Sequence, residues 1–154
     1  MHRGFTQGKC CMDAAERLTL SIPSHPRYLC GLRGFFENLL AELGFNRQES
    51  RRITLAIHEA CANVIEHGYG GDTQQRIDLT IHIAPEEVTV EVRDYGNKTG
   101  SETIKPRALD DVRPGGLGTY FMQSVMDTVA YCPAAEQGML LRMTKRRSAP
   151  CTSP

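Results

Sequence analysis

The chain has 154 residues, 40% of them hydrophobic and 23% charged, with 18 Lys and Arg balanced by 18 Asp and Glu. That length fits one domain with a sizeable core and leaves no room for two complete enzyme domains. Zero formal net charge removes any general attraction for a phosphate backbone, which disfavours a nucleic-acid reader, and the hydrophobic content is too high for a disordered chain.

Residues 1–14 read as a loose arm. They have a basic start but no apolar stretch of the kind a secretory signal carries. No run anywhere approaches the ~18 apolar residues of a membrane span, so the expected location is the bacterial cytoplasm. The domain is expected over residues 15–147, with a flexible tail over 148–154. Glu16–Ile22 alternates, with Leu18, Leu20 and Ile22 apolar, and reads as a strand that Pro23 and Pro26 break. Pro26 opens a helix whose apolar residues Leu29, Leu32, Phe35, Phe36, Leu39, Leu40 and Leu43 recur at helical spacing, and Gly44 ends it. Asn46 then offers an N-cap with Glu49 three residues on, a variant of the capping box, for a helix running to His67 and stopping at Gly68.

Arg76–Ile83 and Val88–Arg93 are alternating strands of a hairpin turned by residues 84–87. Tyr95–Pro114 has no periodicity and is rich in Gly, Pro, Lys and Asp. A loop of about 20 residues inside a compact domain is unusual and is often a functional lid. Leu117–Met126 reads as a helix, and Thr128–Tyr131 and Met139–Lys145 as two final strands. Five strands and three helices make a mixed α/β domain with an antiparallel component. Of six cysteines, Cys30 and Cys61 sit in apolar helical patterns and are expected in the core, while Cys10, Cys11 and Cys151 lie near the ends. No C-x-x-C pair exists, so neither a zinc ribbon nor a thioredoxin-like motif is supported. His58 directly precedes Glu59, so the H-E-x-x-H pattern of zinc enzymes is missing, and His67 is expected packed at the helix end.

Three places carry possible chemistry. On the second helix Glu59, Asn63 and Glu66 fall at i, i+4 and i+7, one polar face where a carboxylate and an amide oxygen converge. Such oxygens suit a proton transfer or a hard cation such as Mg²⁺. A solvated helix face has the same pattern. Asp94-Tyr95-Gly96 closes a strand; the Asp can accept from a ligand amine and the Gly permits close approach, although D-x-G is also an ordinary turn. Arg113-Pro114-Gly115-Gly116-Leu117-Gly118-Thr119 leads into a helix. Its glycines free backbone N–H groups to point at an anion, the helix N-terminus adds partial positive charge, and Arg113 adds a bidentate donor. The spacing matches neither a Walker A loop nor a dinucleotide-binding fingerprint.

The order of these motifs is more specific than any one of them. Glu59 to Tyr69 reads E-A-C-A-N-V-I-E-H-G-Y, Val92 to Gly96 reads V-R-D-Y-G, and Arg113 to Gly118 reads R-P-G-G-L-G. From about Arg17 to Lys145 the chain resembles the histidine-kinase-like ATPase superfamily of gyrase and heat-shock chaperone ATP-binding domains. Within it, the chain is similar to the small bacterial anti-sigma-factor serine/threonine kinases. The resemblance implies a two-layer α/β sandwich of the Bergerat type, with a mixed, mostly antiparallel sheet covered on one face by helices. It implies that Glu59 is the general base and Asn63 a Mg²⁺ ligand. It places Asp94 at the adenine amine with Gly96 beside the base. It puts Gly115, Gly116, Leu117, Gly118 and Thr119 at the phosphates and Arg113 near the terminal phosphate, and it makes Thr144 a candidate near the adenine. The implied cofactors are ATP or ADP and Mg²⁺. The implied partners are a small anti-anti-sigma protein of the STAS type as substrate, a sigma factor held inactive, and a second copy of the chain in a homodimer, with no nucleic acid and no membrane. Asn97-Lys98-Thr99-Gly100 departs from the family by lacking an aromatic soon after D-x-G. A rival reading is a non-catalytic ATP- or ADP-binding module that switches partners.

Overall fold

The computed structural model describes residues 16–96 and 116–148. The expected N-terminal arm, the tail from residue 149, most of the expected lid, Arg113 and Gly115 lie outside the described residues.

Strand β1 (Glu16–Pro23) leads into helix α1 (Arg27–Glu42). The stripe Leu29, Leu32, Phe36 and Leu40 is buried, one residue per turn. Cys30 lies a quarter-turn off that stripe and is exposed, which corrects its expected place in the core. Helix α1 ends in a paired-bond cap: the Gly44 N–H donates to the Ala41 carbonyl and the Phe45 N–H to the Leu40 carbonyl, both at 3.0 Å, with Gly44 at φ 92°. Helix α2 (Arg47–Asn63) starts at the complete capping box. The Glu49 N–H donates to Asn46 Oδ1 at 2.9 Å, and the Asn46 N–H donates to Glu49 Oε2 at 3.3 Å.

One continuous α-helix to His67 does not form. From Val64 to Gly68 the chain widens into a π turn, closed by the Tyr69 N–H on the Val64 carbonyl at 2.9 Å. His67, at the outside of this turn, is exposed rather than packed, with Glu66 Oε2 3.8 Å from its Nε2.

The remaining elements are β2 (Arg76–Ile83), β3 (Glu87–Arg93), α3 (Leu117–Val125), β4 (Thr128–Pro133) and β5 (Met139–Arg146), and the sheet order is β1-β2-β3-β5-β4. Every described pair is antiparallel, in line with the expected mostly antiparallel sheet but without a parallel pairing that would make it mixed. The reason is topological. Two helices between β1 and β2 reverse the chain's direction across the sheet. β3 and β4 run the same way, but β5 inserts between them and no parallel ladder forms among the described residues. Along β2 and β3 alternate residues are buried: Ile77, Leu79, Ile81 and Ile83, then Val88, Val90 and Val92. Together with Leu141 and Met143 they form one core with the helices. Met122 and Met126 fill it as core residues. Burial pushes the Cys61 thiol up to about 12, so it behaves as a small apolar side chain. The opposite sheet face is polar, with Glu91 receiving Arg142 through Nε at 2.9 Å and Nη2 at 2.6 Å and standing 3.2 Å from His82 Nε2.

Candidate nucleotide site

Helix α2 has two working flanks. Ile53, Ala56, Ile57, Ala60 and Cys61 face the core, and this fixes the rotation of the helix. Glu59 and Asn63, one turn apart, are then half-buried on the flank toward α3. The first turn of α3 comes very close to them. A Cβ placed on Gly118 would sit 2.8 Å from Glu59 Oε2 and 3.7 Å from Asn63 Nδ2. A side chain there would displace the end of the Glu59 side chain, so the bare glycine lets the carboxylate stay beside the start of the helix. Gly116 is the N-cap and the Tyr120 N–H reaches its carbonyl at 3.1 Å, so the N–H groups before Tyr120 have no partner within the helix and are oriented for an anion. Glu66, the third member of the sequence stripe, is carried away by the π turn and is exposed.

The other end of the site is built on backbone. Asp94 follows β3 and is 5% exposed, on the helix-covered side with Val88, Val90 and Val92. Its N–H donates to the Met139 carbonyl at 3.0 Å, which extends the β3–β5 ladder by one bond. Its Oδ1 accepts the N–H groups of Gly96 at 3.0 Å and Met139 at 3.3 Å. Its Oδ2 lies on the Gly68 side, 3.6 Å from where a Gly68 Cβ would stand. Gly96 is buried, and a side chain there would strike the Gly68 carbonyl oxygen; one at Gly138, which has φ 82°, would strike the Asp94 carbonyl oxygen. The π turn therefore has a direct effect: it brings the Gly68 backbone against the D-x-G turn. Beside this turn is a cleft of about 350 Å³ lined by Gly68, Tyr69, Asp72, Gln75, Tyr95, Gly96 and Gln137.

The structure thus brings Glu59, Asn63 and Gly118 together at one end, and Asp94 and Gly96 at the other. Leu117 and Thr119 belong to the first turn of α3, Leu117 largely exposed. The Thr119 hydroxyl is hydrogen-bonded to Tyr131, whose phenol burial pushes up and this bond pulls back. Thr144 does not join the site. It pairs with Thr89 on the polar sheet face, the two hydroxyl oxygens 2.8 Å apart, while its neighbour Met143 occupies the core face. Strand alternation puts it on the wrong side of the sheet for a ligand of Asp94. Gly68, Tyr69 and Tyr95 stand inside the quoted motifs but were given no part in the site, and Gly138 was not singled out; its trace in the sequence is the glycine of the E-Q-G turn.

The donor set near Asn63 is one amide oxygen and one carboxylate, and among the described residues no group of three or more His, Cys, Asp or Glu converges. Such a sparse, all-oxygen set fits Mg²⁺, which is held chiefly by waters and phosphate oxygens with one or two protein ligands. Among the described residues no helix is long and apolar enough to cross a membrane.

The sequence profile of the histidine kinase-like ATPase domain matches residues 22–145. Among curated proteins the chain is similar to the serine-protein kinase RsbW of Bacillus pumilus, at 27% identity over 143 residues, covering 86% of this chain and 87% of the relative. It is also similar to the RsbW of Listeria innocua, at 26% over 138 residues covering 84% and 87%, and to that of Bacillus licheniformis, at 24% over 140 residues covering 86% of each. Among solved structures it resembles the crystal structure of RsbU and RsbW domains from a Mycobacterium tuberculosis protein, with a TM-score of 0.62 and 20% identity over 85% of this chain and 32% of that longer one. That likeness carries the fold.

Proposed function

Since the chain belongs to the histidine kinase-like ATPase domain family, we propose that it is an ATP-dependent protein-serine/threonine kinase of the anti-sigma type. Its substrate in this reading is a small anti-anti-sigma protein of the STAS type, its second partner a sigma factor, and its working form a cytoplasmic homodimer. Similarity to curated serine-protein kinases over 84–87% of both chains supports the reaction class. The observation that carries the reading is the approach of bare Gly118 to the Glu59 carboxylate, with Asn63 one turn on.

In the mechanism, Asp94 binds the exocyclic amine of adenine and Gly96 leaves room for the base. Gly116, Leu117, Gly118 and Thr119 present the start of α3 to the phosphates, with Gly115 before them, and Arg113 neutralises charge on the terminal phosphate. Asn63 would hold Mg²⁺, which would supply positive charge against the phosphate oxygens. Glu59 takes the proton from the incoming Ser or Thr hydroxyl as its oxygen bonds the γ-phosphorus and the bond to the β–γ bridging oxygen breaks. ADP and the phosphorylated protein leave. The test is transfer of labelled γ-phosphate to the anti-anti-sigma protein encoded beside or captured by this kinase in its native cell. Labelled Ser or Thr is the expected result. ATP binding without any transfer would leave a non-catalytic partner-switching module instead.

A further inference from the structure

Tyr95 stands between Asp94 and Gly96, yet it faces the other side of the sheet. Every polar group it has is engaged, each by a different part of the fold. Its N–H donates to the Tyr69 hydroxyl at 2.9 Å. Its carbonyl accepts from Gln137 Nε2 at 2.8 Å. Its phenol donates to Asp78 Oδ2 at 2.5 Å. The ring lies between two guanidinium groups, with Arg76 Cζ 4.5 Å and Arg93 Cζ 4.7 Å from its centroid. Asp78 is itself anchored by the Ser21 hydroxyl at 2.6 Å and Arg76 Nε at 3.2 Å. Burial pushes the Asp78 carboxyl up, but the Ser21 and Tyr95 hydroxyls and the two arginines outweigh it and hold it below the usual range. It is therefore an anionic acceptor throughout the neutral range, and a phenol bonded to it makes a short, charge-assisted bond. Tyr69 in turn donates to the Arg76 carbonyl.

We propose that Tyr95 is a positioning residue for base recognition, clamped to Asp78 between Arg76 and Arg93 so that the turn holds Asp94 with one oxygen committed to backbone and the other turned toward the base. The reasoning is that of a pleated strand end. Successive side chains point to opposite faces, so the rotation of Asp94 about the chain axis is coupled to the hold on Tyr95. A strand's last residue otherwise frays. Here the neighbouring residue is tied to β2, to the turn after the π segment and to the β4–β5 turn. The clamp touches no ligand. It acts on which oxygen of Asp94 faces the base, and hence on selectivity for an amine over a carbonyl at position 6 of the purine. This rests on the reading of Asp94 as the adenine contact.

The experiment is calorimetric titration of the parent and of Tyr95→Phe, Tyr95→Ala and Asp78→Asn with ADP and with IDP, which carries a carbonyl where ADP has the amine. The parent is expected to prefer ADP by about 10–100-fold, since IDP sets two acceptors against each other. Tyr95→Phe and Asp78→Asn are each expected to reduce that ratio severalfold, since each breaks the same phenol–carboxylate bond. Tyr95→Ala is expected to bring the ratio close to one. Should Tyr95→Ala fail to fold, the two conservative variants read the same quantity. Equal weakening of ADP and IDP, with the ratio kept, would mean a merely structural residue and overturn the proposal. An unchanged ratio in both conservative variants would overturn it too. A parent that binds ADP and IDP alike would instead remove the Asp94 reading and this inference with it.

Discussion

The two ends of the site are held by different means. At the proposed phosphate end, Glu59 and Asn63 are side chains on one helix, and among the described residues the backbone that meets them is the start of α3 at Gly118. At the proposed base end, backbone meets backbone: Gly96 against the Gly68 carbonyl, Gly138 against the Asp94 carbonyl, and Asp94 Oδ1 on two N–H groups. An end built from side chains can lose chemistry while keeping its shape. An end built from backbone loses shape and binding together.

The largest effect expected from this contrast is at Glu59. Glu59→Gln removes the proton acceptor and keeps the size, so phosphate transfer should fall by about 10²–10⁴-fold in a single-turnover assay. ATP affinity and melting temperature should stay close to those of the parent. A parallel fall in affinity would show that the carboxylate shapes the site and does not act on a proton.

Gly96→Ala should do the reverse. The added methyl group meets a backbone carbonyl that cannot move alone, so a loss of about 1–3 kcal/mol is expected in both folding stability and ADP binding. Thermal melts with and without ADP measure both. A variant as stable as the parent would mean that the Gly68 turn gives way easily.

Asp94→Asn separates the two duties of that residue. The amide oxygen can still accept from Gly96 and Met139, so the fold should hold. The –NH₂ then faces the adenine amine, donor against donor, and ADP affinity should fall by about tenfold or more. Unchanged affinity by calorimetry would displace Asp94 from the base.

The smallest change is at the start of α2, remote from both ends. Asn46→Ala removes the capping box and should cost about 1 kcal/mol, or about 2–4 °C in melting temperature, with ADP affinity kept. Weaker nucleotide binding in this variant would show that the phosphate end depends on the register of the whole helix.

Much of this was legible in the sequence for reasons that were local. Asn46 with Glu49, the apolar stripe of α2, Pro26 and Gly44 at the ends of α1, and the alternation in β2 and β3 each state their structure within a few residues. The order of the Glu59–Tyr69, Val92–Gly96 and Arg113–Gly118 strings carried the fold family. What was not legible depends on packing between distant segments. The π turn has no local signature, since Val64–Gly68 continues the helical pattern; it is set by how Gly68 meets Gly96. Thr144 was placed near the adenine by likeness alone, whereas the strand's register decides its face. Cys30 sat in an apolar helix, but a quarter-turn from the stripe that the core covers.

The insertion of β5 between β3 and β4 has a consequence for the order of events at the ribosome. Asp94 is fixed by Met139 and Gly138, which follow it by more than forty residues, so the base end of the site does not exist while only the first two-thirds of the chain has emerged. The Glu59–Asn63 helix can form early from local contacts, but the final β4–β5 hairpin must dock its β5 strand on the edge of β3 before the turn at Asp94 is held. A nascent chain in which β5 has not yet emerged thus lacks the bonds that hold Asp94, and any affinity that depends on this turn comes only with them.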